Sequence, residues 1–343
     1  MSFNSNKDYY FGSYSHFNIH EEMLRDVPRT EAYKKAIEQN AHLFKDKVVL
    51  DIGTGTGILS LFAAKCGAKK VYAVDNADIA HFAKDIVQKN GFSKVIEVIK
   101  GKIEEVGDKI KPNSIDVIIS EWMGYFLLYE SMLDSIITVR DKILKKGGTV
   151  FPNRAQIFVA AIEDAQFYKQ KVQHWQDVYG YDMSCLQTAV LREAQIDEVD
   201  PTHIVSSECK VLDLDLNTIS KKDVNFSNQY SLSIHQNQRI HGLVSWFDCI
   251  FEDPKKPHLK VTLSTSPYKK RTHWKQTVFY IDSTKEKDVS GIEVKKGDVL
   301  KGSLACHQND KNFRELDVKI SYHIEPADTT RTSWHAVEQY KVR

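Results

Sequence analysis

The chain has 343 residues, of which 42% are hydrophobic and 27% charged, and its formal net charge is +1. That length and balance suit two cored domains, and near neutrality argues against a chain whose main affinity comes from neutralising nucleic-acid phosphates. No run of about 18 apolar residues exists to span a bilayer, and the start MSFNSNKDYYF lacks the basic end and apolar stretch of a signal peptide, so an intracellular protein with no membrane partner is expected.

From Lys47 to about Pro152, strand-like apolar runs alternate with helix-like stretches, the signature of βαβ units on a parallel sheet. Strands are expected at Val48 to Asp51, Val71 to Asp75, Val95 to Lys100, Ile115 to Ser120 and Thr149 to Phe151. Helical spacing of Ile79, Phe82, Ala83, Ile86 and Val87, and again of Met132, Leu133, Ile136, Val139 and Ile143, gives two helices to cover the sheet. After Pro152 the period falls to two, as in Leu212, Leu214 and Leu216 and in Leu316, Val318, Ile320, Tyr322 and Ile324. With further runs at Ile157 to Ile162, Gly242 to Phe251, Lys260 to Ser264 and Gln276 to Ile281, this half reads as an antiparallel β sandwich or barrel. The stretch His174 to Pro201 follows neither period and reads as an excursion from it. Cys66, Cys185, Cys209, Cys249 and Cys306 form no C-x-x-C pair, so neither a disulfide framework nor a metal site is expected.

Val48-Val49-Leu50-Asp51-Ile52-Gly53-Thr54-Gly55-Thr56-Gly57 is a buried strand, a glycine-rich turn and the start of a helix near Ile58. Asp75 ends the next strand about 20 residues on, where a carboxylate accepts hydrogen bonds from ribose hydroxyls, so a nucleoside is expected. The spacing G-x-G-x-G is not that of a dinucleotide loop, and Asp51 would repel a pyrophosphate while favouring the ammonium or sulfonium of S-adenosylmethionine. By itself the loop also admits a nicotinamide site or a plain βα turn.

The strand Ile115 to Ser120 runs into Glu121-Trp122-Met123-Gly124-Tyr125, with a second carboxylate at Glu130. Catalytic groups in open α/β sheets gather at the carboxyl ends of strands beside the switch point, which is where Glu121 should fall. Trp122, Met123, Tyr125, Phe126, Leu127 and Leu128 are expected to wall the carboxylates with apolar groups. Carboxylates in such a place need a cation, and an arginine guanidinium is planar, permanently charged and matched to bidentate contacts.

These residues, with Y-F-x-S-Y…H-E-E-M-L at Tyr10 to Leu24, S-E-W-M-G-Y…Y-E-S-M-L at Ser120 to Leu133 and T-H-W-K-Q-T at Thr272 to Thr277, resemble the type I protein arginine methyltransferases. The resemblance runs from about Tyr9 to the end and implies N-terminal helices closing the active site over 1–40. A Rossmann-like S-adenosylmethionine-binding domain would follow over 41–152. An antiparallel β-barrel domain would occupy 153–343, with a helical dimerisation arm at about 174–201, and no accessory domain is expected ahead of the core. It implies that Asp51, Gly53 and Gly55 hold the methionine part of the cofactor and that Arg29 pairs with its carboxylate. Asp75, often glutamate in close relatives, would hold the ribose, and Glu104 the adenine amino group. His20, Met23 and Met132 would line the site.

Glu121 and Glu130 match the family's paired substrate glutamates, flanked by Tyr14, Met123 and Tyr125, and His273 matches a histidine that pairs with an aspartate, here Asp26. Symmetrically dimethylating relatives carry Phe-Ser-Trp and a phenylalanine at the Met23 position, and the monomethylating branch carries Asp-His-Trp. The implied product is therefore monomethylarginine and then asymmetric dimethylarginine. Implied too are substrates with arginine-glycine-rich segments, RNA-binding proteins and histones among them, a homodimer through 174–201, a place in nucleus and cytoplasm, and no direct nucleic-acid binding. A catalytically silent regulatory subunit is the alternative, against which the presence of both glutamates, Arg29 and His273 speaks. The run Tyr268-Lys269-Lys270-Arg271 departs from the family pattern; it reads as a solvated loop, or as a brake on arginine-rich substrates if it borders the site.

Overall fold

The computed structural model describes Tyr14 and residues 16–283 and 291–343. Tyr10, Phe11 and Ser13 of the first motif lie outside the described residues. Valine- and isoleucine-rich runs form five parallel strands: β1 (Val48–Ile52), β2 (Lys70–Asp75), β3 (Ile96–Lys100), β4 (Ile115–Ser120) and β5 (Leu144–Phe151). Their order is β3-β2-β1-β4-β5. Such strands are covered on both faces, which is why they read as near-continuous apolar runs. β5 starts earlier than expected because its first half, Leu144-Lys145-Lys146-Gly147-Gly148, is polar and largely at the surface and carries no apolar signal.

The helices are α1 (Phe17–Arg25), α2 (Val27–Gln39), α3 (Ala41–Phe44), α4 (Ile58–Lys65), α5 (Ile79–Lys89), α6 (Ile103–Gly107) and α7 (Met132–Ile143). Asp26 separates α1 from α2 and caps α2, its carboxylate accepting the Arg29 N–H at 3.0 Å while Pro28 sits in the first turn. The chain leaves β1 toward β2 and β3 and then returns to β4 on the other side. The crevice between β1 and β4 is thus the switch point where ligands bind in this topology.

Beyond Phe151 the strands are antiparallel: β6 (Arg154–Ile162), β7 (Gln195–Asp197), β8 (Cys209–Asp215), β9 (Phe226–Ser233), β10 (Gln238–Ile240), β11 (Gly242–Phe251), β12 (Val261–Ser264), β13 (Gln276–Tyr280), β14 (Ile292–Val294), β15 (Val299–Gln308), β16 (Leu316–Glu325) and β17 (Trp334–Val342). One sheet runs β7-β13-β11-β6-β8, with β12 pairing the far half of β11, and a second runs β17-β16-β15-β9. Together they make a barrel-like body. β16 keeps its alternation, Leu316, Val318, Ile320, Tyr322 and Ile324 being buried and the residues between them at least partly exposed.

The larger of two hydrophobic clusters among the described residues runs through both halves. Tyr33 of α2 meets Phe251 edge to face at 4.8 Å, and the His42 Nε2–Asp253 Oδ2 contact of 2.9 Å closes the same seam. The irregular excursion between β6 and β8 ends sooner than expected. Gln195–Asp197 pairs with β13 as a sheet strand, and Val199 N–H donates to Gln276 Oε1 at 2.8 Å. The segment before it, short helical turns through Leu191, exposes Tyr179 by 97% and Tyr181 by 72%. Among the described residues no helix is long and apolar enough to cross a membrane.

Candidate active site

A cavity of about 540 Å³ opens at the switch point, walled by the glycine loop after β1, the ends of β2 and β4, helices α1 and α2, and residues from the barrel half. The loop is built for close approach. Gly53 has φ 71°, and a Cβ there would stand 2.6 Å from the Met132 methyl carbon, so any side chain would displace Met132 from the cavity wall.

Asp51 does not line this cavity. Alternation along β1 turns Ile52 to the wall and Asp51 toward α4. There Asp51 Oδ2 accepts the hydroxyls of Thr54 and Ser60, both at 2.7 Å. The expectation of a direct pairing between Asp51 and the methionine part is therefore corrected: its carboxylate fastens the loop from beneath. Complete burial pushes its carboxyl up to about 6, against the hydrogen bonds from Ser60 and Thr54 that favour the ionised form.

Asp75 does reach the wall. Its Oδ2 accepts the Gly55 N–H and its Oδ1 the Ala77 N–H, both at 2.8 Å, so the carboxylate is fixed to the backbone at the cavity wall and each oxygen keeps further acceptor capacity. Burial raises its pKa. Glu104 stands at the cavity edge and accepts the Ser135 hydroxyl at 2.5 Å. His20, Met23 and Met132 line the cavity, His20 Nε2 lying 2.8 Å from the Tyr14 carbonyl oxygen.

Arg29 lines the cavity beside Glu121. Its Nε and Nη2 donate to Glu121 Oε2 at 3.0 and 2.8 Å, and its Nη1 to the Met23 carbonyl at 3.2 Å. Both side chains of the pair are under a tenth exposed. The resemblance implies only a cofactor carboxylate as partner for Arg29, and Glu121 is a further one.

Glu121 stands where β4 ends, a position held by Tyr33 Oη donating to the Ser120 carbonyl at 2.9 Å and Ser120 Oγ donating to the Ile52 carbonyl at 2.7 Å. The link to Glu130 is a tight hairpin with Gly124 N–H donating to the Leu127 carbonyl at 3.0 Å. A Cβ on Gly124 would meet the Tyr129 carbonyl oxygen at 2.1 Å, so only glycine fits. Trp122, Met123 and Tyr125 line the cavity as expected. Phe126, Leu127 and Leu128 do not: they point into the core, Phe126 lying 5.2 Å from Phe279. Tyr14 Oη donates to Glu130 Oε2 at 2.9 Å.

His273 meets Asp26 as the resemblance implied. Its Nδ1 and its backbone N lie 2.7 and 2.8 Å from Asp26 Oδ2. Burial alone would raise the Asp26 pKa, but hydrogen bonds from His273 and the Arg29 backbone, with the His273 charge, hold it below the usual carboxylate value. Trp274 Nε1 donates to the Met123 carbonyl at 2.9 Å, binding the Thr-His-Trp turn to the glutamate hairpin.

Lys269, Lys270 and Arg271 are exposed, and Arg271 is ion-paired with Glu198 at 3.1 Å. Arg271 also borders a surface depression that shares Glu22 and His273 with the main cavity. Of the basic run, Arg271 is thus beside the site. Ser60, Tyr33 and Arg314 are further site-building residues that sequence reasoning missed. Ser60 had a signal, a lone hydroxyl within the apolar helix ILSLFAAK.

A doubly wound domain with a nucleoside-sized cavity at its switch point, and two glutamates facing that cavity, defines a transferase that sets a nucleoside cofactor against a cationic group. Residues 153–328 match the family model described as the arginine methyltransferase oligomerization subdomain, and residues 29–152 match the ribosomal protein L11 methyltransferase model. The chain is 47% identical over 325 residues to protein arginine N-methyltransferase 1 of Schizosaccharomyces pombe, spanning 95% of this chain and 92% of that one. A solved Trypanosoma brucei enzyme–prozyme heterotetramer of that methyltransferase with S-adenosylhomocysteine superposes with a TM-score of 0.88 at 39% identity, over 96% of this chain and 100% of that one. Arabidopsis thaliana protein arginine methyltransferase 10 superposes at 0.85 with 31% identity, over 97% and 100%. The chain belongs to the protein arginine N-methyltransferases, on their type I branch, and S-adenosylmethionine is its methyl donor.

Proposed function

We propose that this enzyme converts arginine in glycine-arginine-rich segments of proteins, RNA-binding proteins and histones among them, to ω-monomethylarginine and then to asymmetric dimethylarginine, in nucleus and cytoplasm. The observation that carries the reading is the pairing of Glu121 and Glu130 on one cavity, with the Arg29 fork confined to Oε2 of Glu121 and Oε1 left for a ligand.

A guanidinium is a poor nucleophile because its lone pairs are delocalised, and a pKa above about 12 prevents simple deprotonation. Glu121 and Glu130 bind the group and draw positive charge toward the nitrogens they touch, which leaves the target nitrogen richer in electrons. S-adenosylmethionine supplies the methyl as a sulfonium substituent when bound. The glycine loop, Asp75 and Glu104 hold that cofactor, and Met23 and Met132 exclude water beside it. Two cations must sit together here, so the carboxylates also offset their repulsion; groups preorganised in this way are worth on the order of 10²–10³ in rate. His273, fixed through Nδ1 by Asp26, takes the departing proton at Nε2.

The deciding experiment incubates a glycine-arginine-rich peptide with enzyme and S-adenosylmethionine and reads intact mass and fragmentation. Gains of one and two methyl groups on a single arginine, with neutral loss of dimethylamine, are expected. No transfer would mean a silent subunit, and monomethylamine loss from the dimethylated peptide would mean the symmetric product.

The exposed Tyr179 and Tyr181, with Trp175, Met183 and Leu186, support a homodimer formed through the arm that begins near His174. Deleting the arm should give a monomer with weakened cofactor affinity. Sedimentation and methyl-transfer assays test this, and a fully active monomer would refute it.

A further inference from the structure

Glu130 and the residue after it both adopt left-handed backbone conformations, φ 73° for Glu130 and 58° for Ser131, which L side chains rarely occupy. A substrate carboxylate on such a turn is well aimed only if something distant holds the turn. That something is the hairpin loop between β15 and β16. Glu130 N–H donates to the Arg314 carbonyl at 2.9 Å, and Arg314 Nη1 donates back to the Glu130 carbonyl at 2.7 Å. Ser131 Oγ donates to the Phe313 carbonyl at 2.5 Å, and Gln308 Nε2 reaches both Ser131 Oγ at 3.0 Å and Asp134 Oδ2 at 2.9 Å.

The loop is itself stiff. Asn309 Oδ1 accepts the N–H groups of Lys311 and Asn312 at 2.9 and 3.0 Å, and Asn309 N–H donates to the Glu315 carbonyl at 2.9 Å. The Arg314 guanidinium carbon lies 5.0 Å from the Phe313 ring centroid, a cation–π contact that limits its rotamers. Arg314 also lines the same cavity as Glu130.

We propose that Arg314 is a positioning residue for the reaction: it holds the Glu130 backbone in its left-handed conformation, so that the carboxylate faces the substrate guanidinium. The inference rests on the reading of Glu130 as a substrate glutamate. With the Arg314 side chain removed, the Glu130 peptide unit relaxes toward ordinary angles and its carboxylate swings away. Glu121 and the glycine loop lie on other elements and keep their geometry.

The test compares Arg314→Ala, Glu130→Gln, Glu130→Asp and the Arg314→Ala/Glu130→Asp double variant in single-arginine peptide kinetics, with S-adenosylhomocysteine affinity measured for each. Arg314→Ala is expected to lower kcat/KM tenfold or more while cofactor affinity stays within twofold. In the Glu130→Asp background, where the carboxylate is already misplaced, the same change should cost less than threefold, because the two residues act as one unit. Arg314→Lys, which keeps the charge but loses the fork, should fall between and carries the test if the alanine variant fails to fold. Wild-type turnover by Glu130→Gln would remove the underlying reading of the site. An inactive Glu130→Gln beside an unimpaired Arg314→Ala would overturn the positioning role alone. So would an equal cost of Arg314→Ala in both backgrounds, or a matching loss of cofactor affinity.

Discussion

Replacing Asp51 by asparagine should separate the charge of this buried carboxylate from its hydrogen bonds. Thr54 and Ser60 both donate to Oδ2, a role an amide oxygen keeps, whereas Oδ1 has no hydrogen-bond partner among the described residues. The variant's amide NH₂ would lie there, with a cost of about 1–3 kcal/mol that does not depend on pH. The ionisation difference does depend on it. Because the folded-state pKa of about 6 lies above the ordinary 3.8, the carboxyl's contribution to stability is fully present below pH 3.8 and is lost as pH rises through 6. At 1.36 kcal/mol per pH unit the complete loss is about 3 kcal/mol above pH 7, and only about 1 kcal/mol of it has accrued by pH 4.5. Asparagine escapes that loss, so the variant should gain about 2 kcal/mol on the wild type between pH 4.5 and 7.5. Taking roughly 2 °C per kcal/mol for a chain of this size, that is a relative shift of about 4 °C in melting temperature. Thermal melts of both cofactor-free proteins across this range provide the assay. A difference that stays constant with pH, or grows toward acid, would refute the reasoning.

Glu121→Gln and Glu130→Gln should each abolish methyl transfer while leaving S-adenosylhomocysteine binding largely intact, as read by radiolabel transfer and calorimetry; near-wild-type turnover in either would sink the assignment. Arg29→Ala should weaken cofactor binding tenfold or more and also lower the melting temperature, since removing one member of a buried pair typically costs about 3–5 kcal/mol; unchanged cofactor affinity would count against its role. Neutralising Lys269, Lys270 and Arg271 together should lower KM for cationic peptides, more so at low salt because exposed charges are screened beyond about 8 Å at physiological ionic strength. An unchanged KM at low salt would make the run a bystander.

Much of the fold was legible because each element's period is carried by its own side chains. β4 at Ile115–Ser120, β11 at Gly242–Phe251 and α7 at Met132–Ile143 have the limits that apolar spacing implies. The extremes failed where that signal fades: the polar start of β5, and Gln195–Asp197, too short to show alternation before it pairs with β13. At the site, the strand end and its apolar flank pointed to Glu121 and Glu130, and the family resemblance named His273 and Asp26. They could not orient side chains. Which way Asp51 faces follows from the phase of β1 against α4, and whether Phe126 walls the cavity or fills the core follows from where Phe279 stands. The tertiary structure alone made the long-range pairs, Arg29 with Glu121 at a separation of 92 residues and Arg314 with Glu130 at 184. Local periodicity reports the face a residue belongs to, whereas a hydrogen bond between distant residues depends on how the two halves close on each other, and no repeat within either segment encodes that closure.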